Sequence, residues 1–306
     1  RMPELYRNWL IQMKFLGKRR WLQFFSALVF NLNIPLFFKG QIYKGPTKGI
    51  CVPILNCYSC PAALGACPIG ALQNSLANLR FNLSLGIHQL GLYVLGSLAV
   101  VGSLAGRIPC GWLCPFGLIQ ELFYKIPCPK IKIPSFFKYF RYVVLVVFVL
   151  GMPLLLVDSM GLGQIWFCKL ICPAGTLEAG LPLIAASSAL RSQIGFLFLW
   201  KFFLLIFFII WMIFSLRAFC RTICPLGTIL GFFNKVSLFQ MHVDDEKCTE
   251  CGKCTKVCPM GLNPDQTPNS PECIRCLKCL DNCAYGAIEY NFLKKYPVHR
   301  PKKLNI

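Results

Sequence analysis

Residues 248–283 read CTECGKCTKVCPMGLNPDQTPNSPECIRCLKCLDNC, two runs of four cysteines with gaps of two, two and three residues. The first run is Cys248, Cys251, Cys254 and Cys258, with Pro259 following; the second is Cys273, Cys276, Cys279 and Cys283. Three closely spaced thiolates wrap one face of an iron–sulfur cubane, and after the longer gap the chain has turned away, so the fourth cysteine of each run reaches the other cluster. The expected ligand sets are Cys248, Cys251, Cys254 with Cys283, and Cys273, Cys276, Cys279 with Cys258. Two zinc sites, the alternative, need pairs of Cys-x2-Cys rather than two four-cysteine runs.

Paired runs of this kind are the pattern of bacterial two-cluster ferredoxins. Residues 241–292 are therefore expected to form an α+β domain holding two 4Fe–4S clusters, with a basic tail over 293–306 and a separate region over 1–240.

That upstream region is far more apolar than a water-soluble domain. The whole chain of 306 residues is 56% hydrophobic and 14% charged, with a mean hydropathy of +0.56, which places it in the membrane class. Four segments are long and apolar enough to cross a bilayer, which takes about 20 residues: Trp21 to Phe38, Leu83 to Gly106, Tyr142 to Val157 and Ile194 to Leu216. Lys and Arg alternate between the connecting stretches, with six in 1–20, four in 39–82, six in 107–141, two in 158–193 and three in 217–235. The positive-inside rule then puts both termini in the cytoplasm of a prokaryotic inner membrane. The first span lacks a small-residue cleavage site and reads as a retained anchor. Lys201, inside the fourth span, is expected to snorkel. Three histidines are too few for a bis-His haem between spans, and His88 reads as a packing residue with a quinone contact as the alternative.

The formal charge of +20 raises the question of nucleic acid. Each cubane with its four thiolates carries roughly −2, however, and the inner-loop bias accounts for much of the remainder, so no nucleic-acid partner is expected. Of the 19 cysteines, fourteen fall into short repeated spacings, the grammar of metal thiolates rather than of a secreted disulfide scaffold.

Within residues 1–240 a second motif, Cys-Pro-x-Gly, recurs four times: Cys67-Pro-Ile-Gly, Cys114-Pro-Phe-Gly, Cys172-Pro-Ala-Gly and Cys224-Pro-Leu-Gly. Three copies carry a cysteine four residues earlier, namely Cys110, Cys168 and Cys220; the first has Cys57 and Cys60 instead, with Cys51 further off. Pro suits the first position of a helix, where its missing N–H costs nothing, and a helix N-terminus favours an anionic cluster. Copies two and four are 110 residues apart and copies one and three 105, so the region reads as a duplicated two-span unit with halves of about 21–125 and 142–235. Two spans return the chain to the same side. Cys110, Cys114, Cys220 and Cys224 then make an inner-face site, and Cys67, Cys168, Cys172 and one of Cys57, Cys60 or Cys51 an outer-face site. Redox thiols or disulfides are the alternative. Cys51 and Cys128 read as spare. Sites at the extreme faces leave a gap of about 30 Å, unless the Cys–Pro helices are re-entrant or a partner subunit supplies a cofactor.

With Cys110-Gly-Trp-Leu-Cys114-Pro, Cys220-Arg-Thr-Ile-Cys224-Pro, the apolar spans and the Cys248 to Cys283 module in view, the chain resembles the NapH-type membrane iron–sulfur proteins, a family related to the NosR and CcoG groups. The resemblance implies a quinol-oxidising or electron-relaying subunit that passes electrons to redox partners, with the paired Cys-x3-Cys-Pro motifs and the eight C-terminal cysteines as its functional positions. The added cysteines Cys57, Cys60, Cys67, Cys168 and Cys172 depart from the simple pattern.

The expected protein is thus an all-α polytopic membrane chain of four spans, an internal two-span repeat with re-entrant Cys–Pro helices, followed by a C-terminal α+β ferredoxin domain with two 4Fe–4S clusters. It relays electrons between that domain and quinone or an extracytoplasmic redox protein, in a membrane complex with a flavin- or metal-carrying subunit. Two other readings are a quinol dehydrogenase acting on menaquinol or ubiquinol, with His88, Gln89 or Glu121 handling protons, and a redox sensor or metal-centre assembly factor of the CcoG kind. No nucleophile–base–oxyanion constellation, Rossmann fingerprint or P-loop is present.

Overall fold

A computed structural model describes residues 18–86, 91–134 and 136–292. The described chain is mostly helical, with one two-stranded antiparallel sheet.

Each of the four Cys-Pro-x-Gly copies of the helical region starts a helix. Cys67, Cys114, Cys172 and Cys224 all take extended backbone angles at the N-cap, and proline occupies the first turn that follows. In three copies a one-turn helix precedes the cap: Ile108–Trp112, Trp166–Leu170 and Ala218–Thr222. These three turns close alike, since the amides of Cys114, Cys172 and Cys224 donate five residues back, to Pro109, Phe167 and Phe219. These three copies thus share one hydrogen-bond pattern.

Two helices, Phe137–Leu155 and Phe196–Phe214, are long and apolar enough to cross a bilayer, and only 28% and 17% of them is buried in the chain. Side chains such as Phe203, Phe207, Tyr139 and Val146 are exposed. A core helix of a soluble protein hides such a surface, so an apolar solvent around these helices is the physical reading, and the chain is a membrane protein.

The other two expected spans are shorter than their hydropathy implied. The first helix, Lys18–Phe30, stops at Asn31, whose side-chain amide donates to the Ala27 carbonyl, and a separate short helix Ile34–Lys39 follows with Pro35 in its first turn. Gly40 caps that second piece in the left-handed region at φ +61°. The helix of the second segment runs only over Leu92–Ala105, entered through Gly91 at φ +65°; at 14 residues it spans about 21 Å.

Buried thiols sit at the centre of the main core. Cys67, Cys110, Cys114, Cys172 and Cys224 pack there with Phe116, Phe167 and Phe219. The C-terminal segment is built separately on strands Phe239–Val243 and Ile288–Phe292, which pair Phe239 with Phe292 and Val243 with Ile288. The alternating inward residues Phe239, Met241 and Val243 pack against Cys248, Cys254, Cys279 and Cys283.

This segment is bonded to the helical part through two buried arginines. Arg275 donates to the carbonyls of Ala105 and Asn234 and to the Ser237 hydroxyl, at 3.0, 2.6 and 2.7 Å. Arg107 donates to the carbonyls of Pro271, Glu272 and Cys220. Trp112 Nε1 adds a bond to the Arg275 carbonyl at 2.9 Å, and the bare face of Gly111 lies against the Ile274 carbonyl.

Candidate metal centres

All nineteen cysteines are free thiols. Sixteen of them gather into four sets of four. In the C-terminal segment Cys248, Cys251, Cys254 and Cys283 line one cavity, and Cys258, Cys273, Cys276 and Cys279 line another. In each cavity the fourth thiol comes from the other run, because the chain bends away at Pro259 and again after Cys283.

The third set joins copies two and four of the Cys–Pro motif. Cys110 lies beside Cys220, and Cys224 is close to Cys220, Cys110 and Cys114. The fourth joins copies one and three: Cys168 neighbours Cys172, Cys67 and Cys57. The spacing left Cys57, Cys60 and Cys51 open as the last member, and the fold brings Cys57 to it. Cys60 instead points its thiol at Asn31 Oδ1, 3.7 Å away, among Ala62 and Ala63. Cys51 and Cys128 join no set; the Cys128 thiol faces the Ile213 carbonyl at 3.4 Å.

The donor sets fit iron–sulfur cubanes. Backbone amides point at their sulfurs, with Leu262 N donating to Cys258 and Arg275 N to Cys273 at 3.4 Å each, and Gly227 N to Cys224 at 3.5 Å. Burial pushes the Cys273 thiol up to about 12, so at neutral pH a thiolate there requires a metal cation to compensate it. Among the described residues no three His, Cys, Asp or Glu side chains converge closely enough to grip a single ion, whereas a cubane spreads its four thiolates over four irons.

The surroundings of these sets bear on three expectations. First, of the two arrangements left open, the two Cys–Pro sets lie close together rather than at opposite extremes. The Leu55 amide faces Cys114 of one set, and Cys57, two residues on and so at most about 7 Å along the chain, belongs to the other. The two sets share one core.

Second, Lys201 does not snorkel. Its ammonium donates to the Cys168 carbonyl at 3.0 Å and lies near Cys172. Lys201 Nζ and Cys57 Sγ both lie 3.6 Å from where a β-carbon on Gly175 would stand, so the ammonium and the thiol flank the same backbone position. A buried carbonyl beside four sulfurs offers the cation a better partner than the distant membrane surface.

Third, Glu121 is held in a buried ion-pair cluster rather than standing free to exchange protons. Arg217 Nε donates to its Oε1 at 2.8 Å and Arg19 Nη2 to its Oε2. Burial pushes the carboxyl up, but Arg217 and Arg19 outweigh it and hold the group far below the usual carboxylate range. His88 and Gln89 lie outside the described residues.

Sequence reasoning missed two side chains. Gln73 and Gln120, both fully buried, stand six residues after Cys67 and Cys114 and donate to Cys168 Sγ at 3.2 Å and Cys220 Sγ at 2.9 Å. Superposing the Cys–Pro copies by eye would have put both glutamines in register.

Comparison with known proteins agrees with this chemistry. Residues 87–134, 142–181 and 196–243 match a 4Fe-4S binding domain, and residues 240–263 match a second family of the same description. An uncharacterized protein of Methanocaldococcus jannaschii, MJ0749, is 31% identical over 206 residues, covering 64% of this chain and 69% of its own. The ferredoxin-type protein NapH of Escherichia coli is 25% identical over 283 residues, 88% of this chain and 90% of NapH. The regulatory protein NosR of Stutzerimonas stutzeri is 30% identical over 181 residues, 56% of this chain but 22% of NosR. No solved structure matches the chain.

Proposed function

Since this chain belongs to the NapH-type family of 4Fe–4S electron-transfer proteins, we propose that it is a membrane relay with four cluster sites in series. The order is Cys248/Cys251/Cys254/Cys283, then Cys258/Cys273/Cys276/Cys279, then Cys110/Cys114/Cys220/Cys224, then Cys57/Cys67/Cys168/Cys172. A cubane at each position supplies one-electron chemistry.

The observation that carries this reading is the continuity of the protein between neighbouring sets. Cys254 and Cys258 belong to one short helix and its cap, Lys253–Val257, and supply the first and second sets. Arg217 lies close to both Cys276 and Cys220, linking the second set to the third. Leu55 and Cys57 link the third to the fourth. Buried apolar side chains fill the space between, which keeps water from the path.

The exposed Cys251 marks the end at which a cytoplasmic redox protein, with its own flavin or metal, exchanges electrons. The far end, at Cys57 beside the exposed Tyr58, serves quinone or an extracytoplasmic partner. The arrangement proposed is four passes of a prokaryotic inner membrane with both termini inside, the two shorter apolar helices being drawn in by the inward-reaching Cys–Pro turns.

Iron and acid-labile sulfide on anaerobically purified protein, with EPR after dithionite reduction, test the proposal. About sixteen irons per chain, four in each cubane, are expected; about eight confine the metal to the C-terminal segment and end the relay reading.

A further inference from the structure

Gln73 and Gln120 occupy one position in two copies of the repeat and make one set of bonds. Each lies in the helix that its Cys–Pro pair begins, Pro68–Ala77 and Pro115–Phe123. Each uses one amide proton on the carbonyl four residues earlier, Ile69 or Phe116, at 3.3 Å. Each sends the other across the duplication to the first cysteine of a Cys-x3-Cys-Pro motif in the second half, Cys168 or Cys220.

The amide orientation is fixed by the third bond. Gln73 Oε1 accepts the Phe167 amide at 2.9 Å, and Gln120 Oε1 accepts the Cys220 amide at 3.4 Å. With the oxygen so committed, the nitrogen must face the sulfur; turning the amide over would oppose two acceptors and leave a buried N–H unpaired. Copies three and four do not repeat the arrangement, because the sixth residue after Cys172 is Glu178, which accepts the Cys57 amide at 2.7 Å, and after Cys224 it is the apolar Leu230. The donation therefore runs from the first half to the second only, once in each Cys–Pro set.

We propose that Gln73 and Gln120 are potential-setting residues, each giving its cluster one N–H···S hydrogen bond from outside the ligand set. This rests on the four-cluster reading above. A donor to a ligating sulfur draws electron density from the iron–sulfur core and favours the reduced, more negative state. In a buried site such a bond to a charged acceptor is at its strongest. The glutamines are positioning residues, touching ligands and not iron. A brace that merely joined the halves would leave the potentials where they were.

Redox titration of the intact membrane-embedded chain, followed by EPR, separates the two roles. Gln120→Leu is expected to move one of the four midpoint potentials to a more negative value, and Gln73→Leu a different one, with iron content unchanged. The corresponding Glu variants, which add a carboxylate in place of the donor, are expected to move the same potentials further. Should the substitutions cost a cluster, the unaltered protein carries the test by itself: with glutamine side-chain nitrogen labelled as ¹⁵N, two of the reduced clusters are expected to show a ¹⁵N coupling and a proton coupling that disappears in D₂O. Sixteen irons with no such couplings, or with intact clusters whose potentials ignore the substitutions, overturn the inference alone. About eight irons in the unaltered protein would overturn the relay reading beneath it.

Discussion

Arg217 holds Glu121 and the even-numbered Cys–Pro set together: its Nε donates to Glu121 Oε1 at 2.8 Å while its Nη1 donates to the Cys110 carbonyl at 2.9 Å. The guanidinium is fully buried, and the carboxylate is its counter-ion.

Glu121→Gln therefore leaves Arg217 and Arg19 as buried cations without their carboxylate counter-ion, a loss of about 3–5 kcal/mol. The variant is expected to melt at lower temperature and to lose the iron of the Cys110 set first. The pH dependence has a definite sign. Because the folded-state carboxyl titrates below its unfolded value, its contribution is present above the unfolded pKa of about 4.3 and fades only as the pH falls toward the depressed folded value. A thermal melt taken through mild acid should thus retain this part of the stability, and the Gln variant should show no such dependence.

Cys57 and Cys60 are three residues apart and adjoin each other, but only Cys57 neighbours Cys168 and Cys172. Cys57→Ser is expected to remove about four irons per chain, one cubane's worth, whereas Cys60→Ser, Cys51→Ser and Cys128→Ser are expected to remove none. Equal losses at Cys57 and Cys60 would exclude the ligand set drawn here.

Arg275→Leu should loosen the C-terminal segment. Three acceptors, the carbonyls of Ala105 and Asn234 and the Ser237 hydroxyl, lose their donor at about 1–3 kcal/mol for each left unsatisfied. Faster limited proteolysis between residues 232 and 239, with the iron of the C-terminal sets retained, is the expected result.

Gly111→Ala acts on the same junction by bulk. A methyl group there meets the Ile274 carbonyl, a backbone atom that cannot swing aside, at a cost of about 1–3 kcal/mol. Magnetic coupling between the reduced clusters of the second and third sets should weaken.

The cysteine spacing made the grouping of the thiols readable because thiolate ligation imposes a short, fixed distance along the chain, and the Cys-Pro-x-Gly copies of the helical region each mark a helix start, whereas Cys60-Pro61, Cys128-Pro129 and Cys258-Pro259 do not. The spans were less legible. Hydropathy averages over Asn31, Pro35, Gly86 and Gly91, while the backbone answers to each of them singly, so two of four apolar stretches yielded helices too short to cross unaided. Lys201 was misread for a related reason: its sequence neighbours are all apolar, and the Cys168 carbonyl that receives it lies 33 residues away. Gln73 and Gln120 escaped because a lone amide in an apolar helix carries no period of its own.

Each Cys–Pro set takes two thiols from residues before 125 and two from residues after 160. While the chain is still being synthesised, the first half emerges with Cys57, Cys67, Cys110 and Cys114 as two open half-sites, and no four-thiol cradle exists in the helical region until Cys172 has left the ribosome, nor a second one until Cys224 has. On the proposed ligand sets, a cluster in this region could be completed only after the second half has come to lie beside the first.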